Sequence, residues 1–170
     1  LNPQGPLYKP LRALEEWIAP IFDDAPAAFP KKREEVLRGA AARLADVGGA
    51  LHPDQRVEII FDMILRAPLA AINHEERAFL AAAIHHRYTK APPRHADAYM
   101  RLLSDERQTA AAALGAALRL GADLSGRSET LLAAFEASAV DGKLLLRVKK
   151  KVAHLVTETA TRRLDAAAQA

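Results

Sequence analysis

The stretch Val57-Glu58-Ile59-Ile60-Phe61-Asp62-Met63-Ile64-Leu65 decides the fold class. Val57, Ile60, Phe61, Ile64 and Leu65 recur at i, i+3, i+4, i+7 and i+8, which is one face of a helix and a pattern no strand produces. His52-Pro53-Asp54 opens this segment and Pro68 lies just past its end. Working outward, Asn73 is an N-cap candidate followed by Glu75 and Glu76, carboxylates that suit the positive end of a helix. That helix runs through Phe79, Ala82 and Ala83 to His85-His86-Arg87-Tyr88 and is apolar nearly all round, as befits a central element.

Other helices follow the same logic. Leu11, Leu14, Trp17, Ile18 and Ile21 form one apolar face, and Val36, Leu37, Ala40, Leu44 and Val47 another, ending at Gly48-Gly49. Ala96 to Leu103 is a short piece, and Ser104 caps a long helix from Asp105 to about Leu124. Its seam of Ala110, Ala113, Leu114, Ala117, Leu118 and Gly121 permits close helix approach. After the turn at Ser125 to Ser128 comes another short helix, Ser128 to Phe135. The period then changes: Ala137 to Val140 and Lys143 to Val148 flank Asp141-Gly142, a two-residue type I′ hairpin signal. Ala153 to Ala168 is helical by composition. The expectation is a mainly α domain with one small β-hairpin near the C-terminus, over residues 11–170, preceded by a proline-rich linker stub at 1–10.

Composition agrees. Half of the 170 residues are apolar, only 5% are aromatic, and about a fifth are alanine, a strong helix former and a poor strand former. The absence of cysteine excludes a disulfide scaffold, thiolate metal sites and a cysteine nucleophile, and fits a reducing cytoplasm. No membrane span or signal peptide is visible, and a first residue other than methionine leads one to expect a segment of a longer chain. Net charge is +3, with Lys143, Arg147, Lys149, Lys150, Lys151, Arg162 and Arg163 set against Glu158 alone near the C-terminus, so a polyanion is a plausible partner.

Two constellations carry chemistry. Asp46, His52, His85, His86 and Asp123 are the residue types of a hydrolytic metal site, but their spacing requires three separate helices to assemble it; helix-end capping and pairing is the competing explanation. A basic surface for phosphates is the second. His86, Arg87, Lys90 and Arg94 follow the central helix, Arg119 and Arg127 flank the end of the long one, and Lys149, Lys150 and Lys151 follow the hairpin. Cations at helix C-termini also complement the dipole. No Gly-rich phosphate loop, serine nucleophile elbow or base-stacking aromatic platform is present, so no specific nucleic acid is expected.

Arg43-Leu44-Ala45-Asp46-Val47-Gly48, Leu51-His52-Pro53-Asp54, His85-His86-Arg87-Tyr88 and Ala117-Leu118-Arg119-Leu120-Gly121-Ala122-Asp123-Leu124 come in an order and spacing that together resemble the C-terminal helical domain of the exopolyphosphatase and guanosine pentaphosphate phosphohydrolase (Ppx/GppA) family. The resemblance covers roughly residues 14–168. It implies an HD-like helical fold, related to phosphohydrolases that hold metal with a histidine, a His-Asp pair and a later aspartate. Asp46 falls on the aspartate of the pair and Asp123 on the last aspartate, but Ala45 stands at the histidine and none lies between Lys31 and Arg43. A degenerate site with no metal is therefore expected. The resemblance also implies that a parent hydrolase cleaves terminal phosphoanhydride bonds of polyphosphate, or guanosine pentaphosphate, in N-terminal actin-like domains that use Mg²⁺. This domain is then expected to need no cofactor, to help bind the polyanion through His86, Arg87, Lys90, Arg119, Arg127 and Lys149 to Lys151, and to support assembly, a homodimer included. Two rivals are an active metal phosphohydrolase in which His52, His85 or His86 replaces a missing ligand, and a purely structural dimerisation module.

Overall fold

A computed structural model describes residues 8–94 and 97–170. It contains α1 (Tyr8–Ile18), a 3₁₀ turn (Ala19–Ile21), α2 (Lys31–Leu44), α3 (Pro53–Arg66), α4 (His74–Tyr88), α5 (Asp97–Met100), α6 (Asp105–Ser125), α7 (Glu129–Leu132), β1 (Phe135–Val140), β2 (Lys143–Val148), a second 3₁₀ turn (Lys150–Leu155) and α8 (Glu158–Ala168). The fold is mainly α with one antiparallel hairpin. Of the linker expected at 1–10, residues 1–7 lie outside the described part, and α1 begins at Tyr8 with Pro10 in its first turn, where a missing N–H costs no helical bond.

The central helix is α4. Residues Ala78 to His85 are buried without interruption, so it has no solvent face along that run. Its start is fixed by a capping box: the Asn73 side chain accepts from the Glu76 N–H (2.8 Å) and the Glu76 carboxylate accepts from the Asn73 N–H (2.9 Å). Glu76 is itself buried, and Arg33 of α2 donates to both of its oxygens. That bond holds its carboxyl below the usual range despite the cost of burial.

Against α4 lies α6, capped by Ser104, whose hydroxyl accepts from the Arg107 N–H. The two helices touch backbone to backbone. A Cβ added at Gly115 would run into the Ala83 carbonyl and lie 2.7 Å from the His86 Cβ. α3 covers another side of α4 through Ile60, Phe61 and Ile64, and α1 packs on α2 and α6 through Leu14, Trp17 and Ile18. The Trp17 indole donates to the Phe135 carbonyl (2.9 Å), which pins the hairpin to the helical core. Asp141 and Gly142 both have positive φ, as the type I′ turn requires, and place Phe135 opposite Val148 at the base of the hairpin.

Four expectations are corrected. α2 ends at Leu44, not Val47, and its buried residues are Leu37, Gly39, Ala41 and Ala42, whereas Val36 and Val47 are exposed; the face toward the neighbouring helices is one leucine set among small residues. The short helix after Ser128 ends at Leu132, and Phe135 already belongs to β1. The last α-helix starts at Glu158 rather than Ala153, because Thr157 caps it, its hydroxyl accepting from the Ala160 N–H. α1 starts at Tyr8 rather than Leu11.

The Gly115 contact yields a stability prediction. Gly115→Ala overpacks rigid backbone and should destabilise the chain by about 2–3 kcal/mol. Gly126→Ala, where the glycine has φ of 51° and nothing within 4 Å of the added methyl, should cost only about 1 kcal/mol of backbone strain. Urea unfolding of both variants checks the order.

Candidate anion-binding site

The turn after α2, the C-terminal end of α4 and the C-terminal end of α6 converge, and they bring charges with them. Asp46 follows α2; the Arg87 Nη2 donates to its Oδ1 at 2.7 Å, and the Arg127 Nε lies 3.6 Å from its Oδ2. Arg87 is only 9% exposed, and its Nε is buried without a partner. Tyr88 fixes the same corner: its hydroxyl donates to the Ala45 carbonyl (2.9 Å), and the Arg87 guanidinium sits 4.7 Å from its ring centroid. Arg127 reaches Asp46 because Gly126 ends α6 in the left-handed conformation and Arg127 itself has φ of 70°, which folds the chain back over the helix end.

One turn before the end of α6, Asp123 accepts from the Arg163 Nε of α8 at 2.9 Å. Arg119 lies four residues earlier on the same helix. It is half-buried and has no hydrogen-bond or ion-pair partner among the described residues. Burial first, then the neighbouring charges of Arg163 and Arg87, push its proton affinity down, and Asp123 opposes them. Four guanidinium groups therefore surround two carboxylates, leaving an excess of positive charge in one place.

The structure thus gathers Arg87, Arg119, Arg127, Asp46 and Asp123 from the sequence-derived sets and adds Arg163, which sequence reasoning named only in the C-terminal basic excess and not as a site residue. Its signal was the spacing Ala160, Arg163, Leu164, Ala167, which sets an arginine beside the packed stripe of α8. His86 and Lys90 lie beside α6 at a different place, lining a recess with Ala112 and Ala116. Lys149 donates to the Ala133 carbonyl (2.7 Å), and exposed Lys150 and Lys151 begin the second 3₁₀ turn; no contact joins these lysines to the arginines. Arg94 lines a recess on α3 with Glu58 and Asp62.

The residues do not fit a metal ion. Among the described residues no three histidine, aspartate or glutamate side chains gather to hold one. Asp46 is taken by two arginines and Asp123 by a third. The histidines cap instead: His52 accepts from the Asp54 N–H (3.4 Å), the His85 Nε2 donates to the Ala91 carbonyl (2.8 Å), and His86 bonds to the Thr89 carbonyl (3.4 Å). A cavity of about 560 Å³ is walled by Phe22, Phe29, Leu37 and Phe79, with Glu34, Asp105, Glu106 and a single cation, Arg38, in its lining; walls that are mostly apolar with three carboxylates do not suit a phosphate.

Compared with family models, residues 13–170 match that of the exopolyphosphatase C-terminal domain. The chain belongs to the exopolyphosphatase C-terminal family. No curated protein matches it. No helix among the described residues of this exopolyphosphatase C-terminal domain is long and apolar enough to cross a membrane.

His85 gives the domain a pH dependence. Burial lowers its proton affinity, and that of His86, below the ordinary value of 6.5. The unfolded chain therefore takes up protons first on acidification: stability is full above 6.5 and declines as the pH falls from there toward the folded-state values. The melting temperature should drop between about pH 8 and about pH 5.5. His85→Gln, which keeps a donor for Ala91 and does not titrate, should flatten part of that slope, His86 supplying the remainder.

Proposed function

We propose that this domain holds a chain of phosphates for the exopolyphosphatase of which it is the C-terminal part, and that it does not hydrolyse them. The observation that carries this reading is Arg119, a half-buried guanidinium with no hydrogen-bond or ion-pair partner among the described residues, with Arg163 and Arg87 as like-charged neighbours and, as the one opposing charge, Asp123, already bonded to Arg163. Such a charge is unfavourable alone, and an anion spanning the cluster would relieve it. The family description supports polyphosphate over guanosine pentaphosphate as that anion.

Chemistry on the anhydride bond requires a positioned water, an in-line geometry and charge neutralisation, commonly by metal. Guanidinium groups supply only the last of these. Their pKa is too high for base catalysis, and they do not acidify water as a bound divalent ion does. Hydrolysis and its Mg²⁺ belong, on this reading, to the N-terminal domains of the parent enzyme.

Binding is then electrostatic and salt-sensitive. With four guanidinium contacts and about 0.7 ion released per contact, affinity for polyphosphate should fall roughly 50-fold between about 50 and 200 mM salt. Arg119→Gln should weaken binding and lower the slope of log K against log salt by about 0.7, whereas Lys150→Gln should change neither. Isothermal titration at several salt concentrations checks this. Undetectable binding at low salt would sink the reading, and phosphate release by this chain with Mg²⁺ or Mn²⁺ would remove its non-catalytic half.

A further inference from the structure

The two ion pairs that Asp46 makes are unequal. Toward Arg87 the contact is short, 2.7 Å, and that guanidinium is almost wholly buried, so this pair is part of the fold. Toward Arg127 the contact is 3.6 Å, and the arginine side chain is 63% exposed. An exposed ion pair at that distance is worth little and exchanges readily. Arg127 is thus held in place by a carboxylate that does not bind it tightly, and it sits beside a cluster that already carries excess positive charge. An anion that spans from Arg119 to its neighbour Arg87 meets, on the same Asp46 carboxylate, Arg127 already oriented but partly neutralised.

The geometry points to Asp46 as a built-in competitor: its carboxylate occupies Arg127 in the empty domain and is displaced from it, while staying on Arg87, when a chain of linked phosphates binds. The inference rests on the phosphate-binding reading above and adds a residue that sets the threshold for it. A tethered carboxylate has a high local concentration, so a ligand must bring several linked charges to replace it, and a lone phosphate is at a disadvantage. Asp46 also weakens the cluster's field whether or not it moves, because its charge stays beside the nearly buried Arg87.

The test compares tripolyphosphate binding by the unmodified chain, Asp46→Asn and Asp105→Asn at low salt. Asparagine at 46 keeps an acceptor for Arg87 and loses the charge. Asp105→Asn removes the same charge roughly 21 Å along α6 from Arg119. The expected result is binding tightened about tenfold by Asp46→Asn and by less than about twofold by Asp105→Asn. Equal effects of the two variants, or no gain from Asp46→Asn, overturn the competitor role while leaving phosphate binding in place. If neither the unmodified chain nor Asp46→Asn binds, the phosphate-binding reading itself falls, and the competitor with it. A readout independent of the variant's folding is the carboxyl-carbon NMR resonance of Asp46 in the unmodified chain: it should shift as tripolyphosphate is added, and a resonance that stays fixed while the ligand binds overturns the inference.

Discussion

A helix buried on every side must have each of its charges matched where it lies, and α4 imposes that constraint on the whole domain. Glu76 in its first turn is matched by Arg33 of α2, and Arg87 in its last turn by Asp46 of the turn after α2. Both partners come from the same neighbouring helix and its exit, so α2 is clamped to α4 at both ends. Between them α4 is small and apolar except at Arg77, whose guanidinium reaches the Leu65 and Ile72 carbonyls at 3.5 Å, and at His85 and His86, where burial disfavours the charged form. The absence of a side chain at Gly115 then lets α6 close to backbone distance. Because α4 is central, its last turn also fixes where Arg119, Arg127 and Arg163 meet.

Much of this was legible in the sequence where a local rule had no competitor. The periodicity of Ile60, Phe61 and Ile64, the Asn73 N-cap and the Asp141-Gly142 turn each depend on a few neighbouring residues, and each appears as read. The reading of α2 failed because hydrophobicity and burial part company in an alanine-rich chain. Valine is the more apolar residue, yet Val36 and Val47 point outward and Ala41 and Ala42 inward, since the inter-helix space is set by approach distance. No single-helix pattern carries that information. The late start of α8 has a related cause: six residues of composition as helical as the rest wind into a 3₁₀ turn, and the Thr157 hydroxyl decides where the α-helix begins.

At the site, sequence reading supplied residue types without assembly. Arg87 and Arg119 were legible through the motif segments that contain them and Arg127 as a cation flanking the end of the long helix, but nothing in the sequence told that Arg163 meets Asp123 some 40 positions away. The lysine run at 149 to 151 is the reverse case. It is a run of three adjacent cations, yet one lysine donates to a carbonyl of the preceding segment and the other two face solvent. Local charge density is a property of composition, whereas a binding site needs charges converging from different elements, and only the packing of α2, α4, α6 and α8 provides that.

The exchange of charge at Asp46 connects the fold to its chemistry. In a metal-holding version of this corner an imidazole at position 45 and the carboxylate at 46 would share a cation; here position 45 is alanine, and Arg87 and Arg127 supply the positive charge instead. A guanidinium balances a carboxylate as well as an ion does and donates in fixed directions, so the corner keeps its shape. It differs in what it leaves available. A divalent ion keeps open coordination positions where water is acidified, whereas an arginine with spare N–H groups presents hydrogen-bond donors. On the anion-holding reading proposed above, substituting one for the other turns a site that activates water into one that holds an anion. The affinity of such a site is governed by how firmly its own carboxylates already occupy those donors.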